Sequence, residues 1–309
     1  MNTVALIGGT GAVGRAIASS LRHQGRTYRV IGRSAASLEK LFGEDSGAEL
    51  TTWNADAVSA AAALQGAESA IYLVGVPYDH FELHPLLMRM TLEGAVAAGV
   101  KRMLLVGTVY PYGLPRARTV DESHPREPRA FNARMRKEQE DLLLAAHGHG
   151  IETVLLRLPD LYGPGMEKSY LTAQFTNAPQ GKRSMMIGPV EVRHEWAFVP
   201  DCASVAVRVL DDPRTYGAFW NYGGPGEITQ REFSDKIYAA CGQKPSYFVV
   251  NKSMLRLFGM FNAEMRRFAE MNYLMSDPVV LNDDRLKRLL GELPKTSYDD
   301  GVRLTLAGV

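Results

Sequence analysis

The sequence predicts an α/β fold: a doubly wound parallel sheet with a smaller, interleaved C-terminal part. Three observations predict it. Short apolar runs alternate with helical stretches through the first half of the 309 residues. A glycine-rich loop joins the first apolar run directly to the first helix. Beyond Tyr162 the alternation is lost, and Gly, Pro, Tyr and Met become frequent.

The elements follow in order. The apolar run 4–7 reads as the first strand, and 13–23 as the first helix. Residues 28–31 form the second strand, 38–41 lie on a second helix, and 49–53 supply a third strand. Helix 57–64 leads into a buried strand at 69–74, and a long helix at 81–98 ends at Gly99. Strand 102–106, helix 134–146 and strand 153–156 complete the series. Repeated strand–helix alternation means parallel strands, because each parallel pair needs a crossover, usually helical. The Met- and aromatic-rich stretch 254–275, which includes Leu255, Phe261 and Met271, reads as a helical core stripe.

Composition excludes several classes of function. Lys plus Arg number 35 and Asp plus Glu 34, for a net charge of +1. That balance argues against nucleic acid or an anionic membrane as the main partner, since both require clustered cations. An apolar content of 46% excludes intrinsic disorder. Cys202 and Cys241 give neither a disulfide framework nor metal-ligand spacing, so no metal is expected. The start Met1-Asn2-Thr3 lacks a basic leader, and no apolar run reaches the ~20 residues that span a bilayer. A cytoplasmic protein is expected.

The clearest motif is Gly8-Gly9-Thr10-Gly11-Ala12-Val13-Gly14. Its glycines permit a tight turn and let backbone N–H groups approach a pyrophosphate, beside the positive end of a helix. A strand before it and a helix after it make this a dinucleotide loop of Rossmann type. The second strand ends in Ile31-Gly32-Arg33-Ser34, with no acid to bind a ribose 2′-hydroxyl. Arg33 suits a 2′-phosphate, so NADP(H) is expected over NAD(H). Asp56 suits either an adenine amino group or the cap of the helix at 57. Val74, Gly75 and Pro159, at or just after strand ends, are expected cofactor contacts.

Three further segments carry a resemblance. Gly107-Thr108-Val109-Tyr110-Pro111-Tyr112-Gly113, the run from Leu156 through Asp160 to Gly165, and Trp196-Ala197-Phe198-Val199-Pro200-Asp201 join the glycine loop. Together they resemble the short-chain dehydrogenase/reductase superfamily in its extended or atypical, epimerase/dehydratase-like branch. The resemblance implies a Rossmann domain at 1–165, with returns near 195–222, and a mostly α/β substrate domain at 166–309. It also implies a small-molecule site in the cleft between them and a homodimer through the helices at 81–98 and 134–146.

The family's chemistry uses Ser or Thr followed by Tyr-x-x-x-Lys. The resemblance puts Thr108 at the Ser/Thr position and Lys137 at the Lys, where it would bind the nicotinamide ribose. One helical turn before Lys137 stands Ala133, so the usual proton donor is absent. Lys137 also sits in a charged run that suits a solvated face. Tyr110 is the best substitute acid, its phenol lowered in pKa beside a nicotinamide cation. Asp160 suits a substrate hydroxyl, a proton relay or a loop cap. His194 replaces an Arg common in sugar-nucleotide epimerases and suits an acid/base near pH 7.

The leading expectation is an NADP(H)-dependent oxidoreductase of a small carbonyl, alcohol or enone. Epimerase or dehydratase chemistry with a bound cofactor is one alternative. A non-catalytic NADP-binding sensor is the other.

Overall fold

A computed structural model describes residues 3–260 and 262–308, so Phe261 of the aromatic stretch lies outside the described residues. Seven strands form one parallel sheet: β1 (Val4–Ile7), β2 (Tyr28–Gly32), β3 (Ala48–Thr52), β4 (Ser69–Tyr72), β5 (Arg102–Thr108), β6 (Glu152–Leu158) and a late return at Phe219–Asn221. Their spatial order is 3-2-1-4-5-6, with the late strand beyond β6. β1 and β4 are buried along their whole length. Such continuous apolar runs belong to strands covered on both faces.

One core lies under α1 (Ala12–His23) and α2 (Ala35–Phe42), joined by a later helix at Val199–Asp211. The opposite core lies under α3 (Ala57–Leu64), α4 (Leu83–Ala97) and α5 (Phe131–Ala145). Several expected boundaries shift for reasons of pairing. β5 and β6 run to Thr108 and Leu158 because their ladder continues through Gly107↔Arg157 and Thr108↔Leu158. β4 stops at Tyr72 because its partner β1 ends at Ile7. α5 starts at Phe131, three residues before the expected 134, after the extended Ala130.

The rest of the chain builds on this sheet. β7 (Asp160–Tyr162), α6 (Thr172–Asn177), β8 (Ser184–Ile187), β9 (Arg193–His194) and β10 (Trp196–Phe198) precede α7 (Val199–Asp211). The chain then re-enters the main sheet as β11 (Phe219–Asn221), beside β6. β12 (Ile228–Thr229), α8 (Gln230–Ala240) and β13 (Tyr247–Val250) follow, then α9 (Lys252–Gly259), α10 (Ala263–Met271), α11 (Tyr273–Ser276), α12 (Asp284–Leu290) and α13 (Tyr298–Ala307). A third core of Tyr162, Trp196, Phe198, Phe233 and Tyr238 fastens this part together.

The Met-rich stretch is only partly core. Leu255, Met271 and Met275 are buried, while Met254, Leu257 and Met260 are exposed. α9 packs mainly on α10. Among the described residues, no helix is long and apolar enough to cross a membrane.

Candidate active site

The loops after β1 and β4 diverge to opposite faces of the sheet, which opens a cleft at their carboxyl ends. The cleft has a volume of about 360 Å³ and is lined on one side by Gly8, Gly11, Ala12, Val13 and Gly14. Gly8 has φ +79°, and a Cβ there would come within 2.9 Å of the Val74 backbone. A Cβ on Gly14 would meet the Gly9 carbonyl oxygen at 2.4 Å, so only glycine lets α1 start this close to the loop. Gly11 faces open space, with nothing within 4 Å of an added Cβ.

No side chain caps α1 and no acid lies in its first turn. Its first N–H groups therefore face the cleft without an internal acceptor. That arrangement fits the pyrophosphate of a dinucleotide. Val74, Gly75 and Pro159 line the same cleft. Thr10 lies against Gly32, where its Cγ2 would sit 3.6 Å from an added Cβ. Arg33, just past β2, is exposed and forms no ion pair among the described residues. Asp56 caps α3 by accepting from Ser59 N at 2.8 Å, and the Ser59 hydrogen bonds hold its carboxyl below the usual range.

Opposite the glycine loop, hydroxyl groups converge. Thr108 and Tyr110 line the cleft with Tyr78, which sits in a short helical turn after β4. The Tyr78 and Tyr110 hydroxyls lie 2.7 Å apart. Thr108 Oγ1 accepts from Tyr110 N at 3.4 Å. Asn132 on α5 donates from Nδ2 to the Tyr78 carbonyl at 2.8 Å, fixing that turn.

One expectation is corrected here. Lys137 does not face the cleft; its ammonium pairs with Asp141 at 2.6 Å. The buried polar and apolar stripe of α5 runs through Asn132, Arg136, Gln139 and Leu143, and a 3.6-residue period leaves Lys137 to one side. Arg136 lines the cleft instead, with Nη1 3.2 Å from His84 Nδ1. His84 is pushed down to about 2 by burial and by Arg136, so it is a neutral acceptor. The expectation for Tyr110 is a phenol lowered by a bound nicotinamide; in the protein alone, burial, with Tyr78 and Asp160 nearby, raises it well above the usual value.

Glu140 explains why Arg136 keeps no carboxylate partner. Arg157 donates from Nε to Glu140 Oε1 at 3.0 Å, and Arg126 takes the second oxygen at 3.2 Å. Arg157 is fully buried and sandwiched by the rings of Tyr112 and Phe219, with centroids 4.4 and 4.2 Å away. Tyr78, Asn132 and Arg136 were not singled out by the sequence reading. A helical-wheel reading of α5 would have flagged Asn132 and Arg136. Tyr78 carries no local signal, because only the fold brings it to Tyr110.

Behind Tyr110 lies a pocket of about 20 Å³, enough for one water, reached by Asp160, Tyr170, His194 and Glu195. Asp160 is raised to about 6 by burial, with no side-chain hydrogen bond among the described residues, so it does not act as a loop cap there. Burial lowers His194 to about 4. It stays neutral at pH 7, which corrects the expectation of a group titrating there. Burial raises Glu195 to about 7, although the backbone N–H groups of Leu281 and Gly224 donate to it. Apolar side chains close the pocket, among them Met271 and Leu274.

A parallel sheet with this glycine loop at its switch point defines a dinucleotide-binding Rossmann protein. Residues 4–223 match the model of the NAD dependent epimerase/dehydratase family, and the chain belongs to that family. A curated relative from Stigmatella aurantiaca, a 4-hydroxy-2-methyl-3-oxo-4-farnesyl-3,4-dihydroquinoline-1-oxide ketoreductase, is 26% identical; the alignment covers 96% of this chain and 93% of the relative. The fold is shared with a dTDP-glucose 4,6-dehydratase from Streptomyces venezuelae at TM-score 0.82 and 20% identity, over 99% of this chain and 96% of the other. It is also shared with a UDP-N-acetylglucosamine 4-epimerase from Bacillus cereus at TM-score 0.79 and 16% identity, over 99% and 96%.

Proposed function

We propose that the chain is an NADP(H)-dependent reductase of a neutral ketone, aldehyde or enone. The observation that carries this reading is the set of hydroxyls facing the glycine loop. Thr108, Tyr78 and Tyr110 meet at the cleft, and Asp160 lies behind them. When bound, the reduced cofactor supplies a hydride, and the protein completes the alcohol with one proton. The loop at 8–14 and the α1 N-terminus would hold the pyrophosphate, with Arg33 on a 2′-phosphate. Thr108 orients the carbonyl oxygen, and the Tyr78–Tyr110 pair supplies the proton.

The rear pocket has no Lys or Arg in its lining and two carboxyl groups, Asp160 and Glu195. That pocket has room for one water, so the substrate sits in the cleft, which Arg136 and Lys168 also line. The ketoreductase relative is what favours a ketone over a sugar nucleotide. Within this reading, 1–165 with returns near 195–222 binds cofactor, and 166–309 mostly binds substrate. A homodimer through α4 and α5 in the cytoplasm belongs to the same proposal.

The test is net cofactor consumption. Purified chain is mixed with NADPH, then NADH, over a panel of ketones, aldehydes and enones, and loss of reduced-cofactor absorbance is followed. Consumption matched by alcohol or saturated product is the expected result. Turnover of nucleotide sugars with no net consumption would refute the reductase reading in favour of epimerase or dehydratase chemistry.

A further inference from the structure

We infer that Tyr78 is the residue that gives the proton, with Tyr110 and Arg136 as its positioning partners. This rests on the reductase reading of the cleft. Two phenols share one hydrogen bond of 2.7 Å, but their surroundings differ. Tyr110 reaches both the cleft and the rear pocket, whereas Tyr78 lines the cleft alone. Both phenols thus face the cleft, and Tyr110 alone links Tyr78 to the rear pocket that holds Asp160.

Electrostatics point the same way. Tyr110 is flanked by Tyr78, Asp160 and Tyr170, all of which oppose its ionisation. Tyr78 is also raised by burial, to about 12, but Tyr110's hydrogen bond and the Arg136 charge work against that rise. Asp160 and Glu264 of α10 oppose its ionisation. A phenolate at Tyr78 thus has a cation and a hydroxyl to receive it; Arg136 acts on Tyr110 as well, but Tyr110 has Asp160 and Tyr170 beside it on the rear side.

Arg136 is suited to that task. It is buried, lines the cleft and forms no salt bridge among the described residues. Its one hydrogen-bond partner among them is the neutral His84. Asn132, one turn earlier on α5, holds the Tyr78 backbone in place. The helix face that lacks a phenol at Ala133 thus supports one brought in from the loop after β4.

The proton path balances without another reactant. Tyr78 Oη loses its proton to the carbonyl oxygen. The phenolate takes a proton from Tyr110, which is refilled from Asp160 through one water in the rear pocket. Asp160 regains a proton from solvent.

The test uses the full chain with Tyr78→Phe, Tyr110→Phe, Arg136→Met and Arg136→Lys, each checked for folding. Tyr78→Phe should lower kcat by at least about 100-fold with NADPH affinity unchanged. Tyr110→Phe should cost less, and Arg136→Lys should recover part of the loss of Arg136→Met. Tyr78→Phe with near wild-type kcat, while Tyr110→Phe loses turnover, overturns the assignment and leaves the reductase reading intact. Wild-type chain that reduces no carbonyl overturns the reductase reading and the donor role with it. A second readout needs no turnover: fluorotyrosine at position 78, titrated by fluorine NMR. Arg136→Met should raise its ionisation by about one pH unit, and an unmoved titration overturns the role of Arg136.

Discussion

Asp160→Asn isolates the cost of keeping a carboxyl behind the phenol pair. Burial raises Asp160 from 3.8 to about 6. A group raised on folding contributes stability below its unfolded value, and that contribution is lost as pH climbs through the folded value. For Asp160 the loss runs from about pH 4 to about pH 6. Two pH units at 1.36 kcal/mol each make about 3 kcal/mol, an upper figure because a water can enter the rear pocket. Asparagine has nearly the same shape and never ionises. The variant should match the wild type near pH 4 and exceed its stability by up to about 3 kcal/mol at pH 8. Urea unfolding of both proteins across this range measures the difference, and titrations shared by both cancel. A difference that does not change with pH, or a variant less stable at pH 8, would refute the reasoning. Greater stability together with slower turnover is the signature of a carboxylate kept for proton supply.

Three other outcomes follow from the same geometry. Arg33→Ala should weaken NADPH binding by about 10- to 150-fold and leave NADH nearly unchanged, the worth of a hydrogen bond to a charged group; equal effects on both cofactors in titration calorimetry would count against a 2′-phosphate site. Glu140→Gln removes the carboxylate from Arg157, whose side chain is 0% exposed, and should cost about 3–5 kcal/mol in denaturant unfolding. Sedimentation should give twice the chain mass, and Leu86→Asp with Val96→Asp, both exposed on α4, should halve it; a wild-type monomer would remove the dimer from the proposal.

The sheet was legible because its signals are local. A buried parallel strand is a short apolar run, and a crossover helix has a period of its own, so β1 to β6 could be placed from the chain in order. The glycine loop was legible for a related reason: Gly8, Gly11 and Gly14 each answer to a contact or an opening within one strand–turn–helix unit. Strand ends were less so, since β5 and β6 extend to Thr108 and Leu158 only because each pairs with the other. The exposed Met254, Leu257 and Met260 show the same limit. An apolar stripe states that a helix has a face to cover, and packing decides how much of it is covered.

The site was harder because its groups come from different parts of the fold. Thr108 and Tyr110 could be found from a motif after β5. Tyr78 is 32 residues from its hydrogen-bond partner Tyr110, and His84 is 52 from Arg136. Lys137 shows how a motif misleads: its type matched an expected role, but a helix turns 100° per residue, and one position decides between cleft and solvent. Once the stripe through Asn132 and Arg136 is fixed, the vacancy at Ala133 loses its force as an argument against catalysis. A proton donor needs a hydroxyl facing the cleft, a route to refill it and a charge to stabilise its anion. In the proposed mechanism Tyr78, Tyr110, Asp160 and Arg136 meet those needs from four separate elements, so the absent tyrosine would remove one source of the acid and leave the chemistry available.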